Sequence, residues 1–75
     1  MLQVSISRKD DSVEDLEDIS DSFYHRMLAL RNAGRTGKQI IHELLSDDLG
    51  APPKWVRISG TLADGTEVSD SIPYR

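Results

Sequence analysis

The sequence predicts an α+β domain of order β-α-α-β-β, a three-stranded sheet with two helices packed on one face. Three observations predict it. Apolar and polar residues alternate at the start of the chain, two stretches of helical spacing fill the middle, and alternation returns around an Asp-Gly turn in the last third.

Leu2, Val4 and Ile6 alternate with Gln3, Ser5 and Ser7, the period-two pattern of a strand covered on one side. Ser12 followed three residues later by Asp15 resembles a capping box, and Val13, Leu16, Ile19, Phe23, Met27 and Leu30 then recur at helical spacing. These place a first helix over about residues 13–33. Gly34 suits the left-handed position that ends a helix, and Thr36 with Gln39 forms a second capping box. A second helix is therefore expected from Gly37 to near Leu49, with Ile40, Ile41, Leu44, Leu45 and Leu49 as its stripe and Gly50, Pro52 and Pro53 as its stop.

From Lys54, Val56, Ile58 and Leu62 point one way while Trp55, Arg57, Ser59 and Thr61 point the other. Ala63-Asp64-Gly65 suits a type I turn with a glycine bulge, which pairs Leu62 with Thr66, Gly60 with Val68 and Val56 with Ile72, leaving Asp70 opposite Ile58. A two-residue Asp-Gly turn would shift the register by one and turn Val68 and Ile72 to the polar side, so the bulged turn is expected. Residues 8–11 and 51–53 read as connectors within a single domain spanning residues 1–75.

The chain has 75 residues, enough to bury about 60% of the surface its unfolded form exposes, hence one modest core. A core of this size makes homodimerisation a reasonable expectation. It has no cysteine, so disulfides and thiolate metal sites are excluded and a reducing, cytoplasmic setting is expected. No apolar run approaches the roughly 18 residues a membrane span needs, and the opening Met-Leu-Gln-Val lacks the regions of a signal peptide. No membrane partner is expected.

Net charge is −4, which argues against nonspecific polyanion binding. Asp10, Asp11, Glu14, Asp15, Glu17, Asp18 and Asp21 crowd one segment, while Arg26, Arg31, Arg35 and Lys38 occupy an acid-free stretch from Ser22 to His42. On the first helix Asp11, Glu14, Asp15, Asp18 and Asp21 or Ser22 would share a face able to imitate a row of phosphates, or the acids would simply complement the helix dipole, with Arg26 and Arg31 near its other end.

Catalytic and metal chemistry find little foothold. His42-Glu43-Leu44-Leu45-Ser46 lacks the second histidine of a helical zinc motif, His25 stands alone, and neither has a nucleophile and an orienting group beside it. No cofactor is expected. Residues 32–39 are shaped like a phosphate loop but carry Asn32 and Gln39 where the first glycine and the hydroxyl residue belong. The same turn could hold an anion on the amides of the second helix, beside Arg35 and Lys38, or be an ordinary connection between helices.

Gly34-Arg35-Thr36-Gly37 resembles the GxxG loop of KH domains, which clamps single-stranded nucleic acid, although the first helix is too long for that family. The strand Leu2 to Ile6 followed by two helices is similar to ribbon-helix-helix repressors, which would make Gln3, Ser5 and Ser7 the reading residues; its interval from strand to turn is too long. Leu30 to Trp55 is similar to a helix-turn-helix, with Pro52 and Pro53 where a recognition helix should begin. No family is assigned on these grounds.

The favoured expectation is a non-catalytic protein-binding module, a small regulator or inhibitor of a partner protein of the kind phages and mobile elements encode. Its candidate contacts are Trp55, Arg57 and Tyr74 on the hairpin and Asp11, Glu14, Asp15 and Asp18 on the acidic helix. The alternative is a nucleic-acid-binding regulator using Gly34, Arg35, Thr36, Gly37 and Lys38, supported by Arg26 and Arg31.

Overall fold

The computed structural model describes residues 1–46 and 49–75. It is α+β with two helices, as the sequence predicts, but the sheet has four strands. The elements are β1 (Leu2–Arg8), β2 (Val13–Ile19), α1 (Asp21–Asn32), α2 (Gly37–Leu45), β3 (Pro53–Thr61) and β4 (Glu67–Pro73). The sheet is antiparallel throughout, in the order β2-β1-β3-β4.

The first third of the expected first helix is therefore an edge strand. Val13, Leu16 and Ile19 recur every three residues, and a strand would ordinarily put Leu16 and Ile19 on opposite faces. A bulge removes the conflict. Val4 pairs with Leu16 but Leu2 pairs with Ile19, so β2 carries one extra residue there, and Asp18 takes a positive φ of 58°. Leu16 and Ile19 both reach the helix side of the sheet, where they pack as half-buried residues against the core. A strand with one inserted residue thus carries the apolar spacing of a helix.

The turn between β1 and β2 is set by its own bonds. Asp11 has a φ of 69°, Arg8 and Ser12 are joined main chain to main chain at 2.8 Å, and the Asp10 carboxylate accepts from the Ser12 amide and hydroxyl. Ser12 is thus held in the turn and does not cap a helix. Asp is a weak helix former, and pairing with β1 gives the inward-pointing half of this segment's backbone groups their partners, the other half facing water.

α1 begins instead after Ser20 and is anchored by Asp21, whose carboxylate accepts from the Ala63 amide at 2.8 Å. It ends with Gly34 at φ 81°, with the Gly34 amide on the Arg31 carbonyl and the Arg35 amide on the Leu30 carbonyl. α2 opens with the expected reciprocal cap: Gln39 donates its amide to Thr36 Oγ1, and its side chain accepts from the Thr36 amide. It ends at Leu45, short of the expected limit. Positions 47 and 48 of that expected helix lie outside the described residues, and Leu49 is buried with its amide on the Leu45 carbonyl at 2.8 Å.

The β3–β4 hairpin has the expected register: Gly60 faces Val68, Ile58 faces Asp70 and Val56 faces Ile72, with the Leu62 amide on the Thr66 carbonyl and Gly65 at φ 89° in the turn. Leu2, Val4, Ile6, Val56, Ile58, Val68 and Ile72 line the helix side of the sheet, where Met27 of α1 and Ile40, Ile41 and Leu45 of α2 cover them. The opposite face has no covering layer among the described residues.

Candidate functional site

The uncovered face is assembled from residues that alternate with the core. Register places them in rows across the strands, neighbours about 5 Å apart. One row runs Asp15, Ser5, Arg57, Ser71; the next runs Val13, Ser7, Trp55, Pro73; on the other side Gln3, Ser59 and Ser69 form a third. Serines dominate. Their short side chains leave a low surface from which Trp55 and Arg57 rise.

Trp55 is half-buried and Arg57 exposed, with the guanidinium carbon 5.9 Å from the indole centroid, within range of a cation–π contact. Beside them Ser7 is buried at 6% exposure, and Val13 is 55% exposed, so the row through Trp55 ends in an uncovered aliphatic side chain. Ser5 donates its hydroxyl to Asp15 Oδ1 at 2.6 Å, fixing a carboxylate at the acidic edge of the face.

Tyr74 does not join this surface. It follows Pro73, the partner of Trp55, and so turns to the helix side, where its hydroxyl bonds His42 Nε2 and its ring lies 5.6 Å under Lys38 Nζ. The acidic residues do not form one row either, because alternation along β2 sends Glu14 and Asp15 to opposite faces. Arg8 binds Glu14 at 2.7 Å, and Lys54 pairs with Asp11. Lys54, through its hydrogen bond first and its charge second, holds the Asp11 carboxyl below its ordinary range. Asp15, Glu17 and Asp18 remain exposed at the rim of the sheet.

The inter-helix turn is similarly occupied. The Lys38 amide bonds the Arg75 main-chain oxygen at 2.9 Å, the Gln39 amide bonds Thr36 Oγ1 at 3.2 Å, and the Ile40 amide bonds the Thr36 carbonyl at 2.9 Å. An anion at the start of α2 would have to displace these bonds. Arg26 bonds the Glu43 carbonyl at 3.3 Å and Arg31 pairs with Asp70 at 3.4 Å, while Arg35 and Lys38 are exposed beside an open depression shared with Gln39, His42 and Glu43. Gly37 is pressed against the end of β4, and a Cβ there would lie 2.1 Å from the Pro73 oxygen.

Compared with protein-family models, curated proteins and solved structures, the chain has no significant match. Among the described residues no group of three or more His, Asp or Glu side chains is gathered to hold a metal ion, and no helix is long and apolar enough to cross a membrane.

Sequence reasoning missed Arg8, whose guanidinium also reaches the Leu49 and Ala51 carbonyls, the latter at 2.8 Å. Those partners lie 41 and 43 residues away, and local pattern carries no signal for them. It missed Val13 as a surface residue too, since the helical reading placed it in the core.

Proposed function

We propose that this chain is a non-catalytic protein-binding module, a small regulator or inhibitor of a partner protein, that docks through the open sheet face around Trp55 and Arg57. The observation that carries the reading is a half-exposed indole with a guanidinium above it, standing among serines on an uncovered sheet face. Trp and Arg anchor interfaces more often than other residue types because each combines a large apolar area with directed polar contacts. Small neighbours let a partner's backbone approach closely, and Val13 extends the apolar strip. Asp15, Glu17 and Asp18 at the rim favour a partner with a basic border, acting on encounter rate and orientation more than on affinity.

Nucleic-acid binding through residues 34–38 has in its favour the exposed Arg35 and Lys38 side chains. Against it stand the occupied helix amides and the pairing of Arg31 with Asp70, which leave few free donors for a phosphate backbone.

The test is a comparison of captured partners. Immobilised chain is incubated with nuclease-treated lysate, and binding is compared for the wild type, Trp55→Ala, Arg57→Ala and the double variant Arg35→Glu with Lys38→Glu. The reading expects loss with the first two and retention with the third. Because Trp55 is the sole tryptophan, its emission should also move to shorter wavelength when the purified partner is added. Loss confined to the double variant would sink it.

A further inference from the structure

The two edges of the sheet are unlike. β2 is guarded in the ways that keep edge strands from pairing: four acids in seven residues, and a bulge at Asp18 that bends it. β4 is guarded less. It runs seven residues without a bulge, and its guards are Glu67 at its start, Pro73 at its end and the inward-facing Asp70, which Arg31 partly offsets at 3.4 Å.

The outward groups of β4 follow from the ladder. The Leu62 amide bonds the Thr66 carbonyl and the Tyr74 amide bonds the Lys54 carbonyl, so the even-numbered residues of β4 exchange hydrogen bonds with β3. The amides and carbonyls of Glu67, Ser69 and Ser71 therefore point away from the sheet. Pairing along this edge would satisfy them at no expense to the bonds already made.

The sequence along the edge indicates the occupant. Val68-Ser69-Asp70-Ser71-Ile72 reads as apolar, Ser, Asp, Ser, apolar in either direction. We propose that β4 pairs antiparallel with β4 of a second copy of this chain, about a two-fold axis at Asp70, joining two sheets into one of eight strands. Val68 then faces Ile72 of the other copy on the helix side, and Ser69 faces Ser71 on the open side. Each copy presents the same patch to the other, as a two-fold contact requires. The two Asp70 carboxylates meet at the axis, and the Arg31 beside each, at 3.4 Å, offsets part of their repulsion. This contact is independent of the open face and leaves Trp55 and Arg57 free. A single strand pair buries less than the roughly 1,200 Å² of a standard stable interface, so the association should be weak, in the micromolar range or above.

The experiment combines sedimentation equilibrium over a wide concentration range with crosslinking. The wild type should associate reversibly to a dimer. Ser71→Pro removes one outward donor from each copy and none from the β3 ladder; it should weaken the dimer about tenfold or more. Asp70→Asn removes the like-charge meeting without changing shape and should tighten the dimer. That variant decides the question should the proline disturb folding, as judged by circular dichroism. Trp55→Ala should leave the association unchanged.

In a chain with no other cysteine, Asp70→Cys should form a linked dimer under mild oxidation. Residues opposite each other at the axis are about 4.5 Å apart between Cα atoms, within disulfide reach. Asp15→Cys on β2 should not. A wild type that stays monomeric at every concentration overturns the proposal. So does a dimer that survives folded Ser71→Pro, or is weakened by Asp70→Asn, or is abolished by Trp55→Ala, or links as readily through position 15 as through position 70.

Discussion

The Arg8 guanidinium stands 2.7 Å from the Glu14 carboxylate, and only 19% of the arginine side chain is exposed. Its second nitrogen reaches the carbonyls of Leu49 and Ala51, so one side chain ties β1 to the edge strand β2 and to the segment entering β3. Truncating it would leave two main-chain oxygens to find water and a carboxylate without a partner. Arg8→Ala should lower unfolding stability by about 2 kcal/mol, with Arg8→Lys recovering only part, because a lysine cannot span carbonyl and carboxylate with separate nitrogens. Urea titration followed by Trp55 emission measures both.

Gly37 marks the place where α2 meets the end of β4. An added Cβ would fall 2.1 Å from the Pro73 oxygen and 3.2 Å from Ile72 Cγ2, and the first of these is backbone. Gly37→Ala should therefore push the end of β4 away, weakening the Lys38 amide bond to Arg75 and the His42–Tyr74 contact, with an expected loss of about 1–3 kcal/mol. Gly34→Ala meets no atom within 4 Å and is strained only by its φ of 81°, so a loss near 1 kcal/mol is expected there. The two values from chemical denaturation should rank in that order.

What could be read from the sequence was what local chemistry decides alone. The bulged turn at Gly65 fixes the hairpin register to the residue, and the Thr36–Gln39 cap fixes the start of α2. Residues 13–19 read as helix because a spacing of three belongs equally to a helix and to a bulged strand, and the choice is made by β1, a partner no local window contains. As a strand those residues disperse the expected acidic face and expose Val13, while Tyr74 lies on the helix side, apart from Trp55 and Arg57, by simple alternation after Pro73. Trp55 and Arg57 lie on that face as the hairpin pattern implies, since both alternate with Val56 and Ile58 within a single strand.

Three carboxyls set the acid side of the stability profile. Asp11 is lowered by the Lys54 hydrogen bond and charge, Asp10 by the Ser12 hydroxyl and amide, and Asp64 by the Thr66 amide and hydroxyl, all from an ordinary value of 3.8. A carboxyl held lower in the folded chain than in the unfolded one stabilises above 3.8, and that contribution is lost as pH falls through the folded value. The melting temperature should thus decline as pH drops below 3.8. In Lys54→Met the decline should be shallower, Asp11 having no partner left to lose, while Ser12→Ala should flatten only the part of the Asp10 share owed to the hydroxyl, the amide bond remaining.

The bulge itself can be tested at Asp18, whose φ of 58° is a conformation that glycine adopts without strain. Asp18→Gly should keep or raise stability, by up to about 1 kcal/mol, since relief in the folded chain is partly offset by a freer unfolded one. Deleting Asp18 is a different operation. Without the extra residue Leu16 and Ile19 stand two apart, so plain alternation keeps both on the helix side, Ile19 still meets Leu2, and Asp21 keeps its reach to the Ala63 amide. The deletion should therefore be tolerated about as well as the glycine, with circular dichroism reporting α1 and the β3–β4 hairpin intact, and only the edge loses the bend that the bulge gives it. If the deletion instead unfolds α1, bringing Leu16 and Ile19 to one face is not all that the bulge serves.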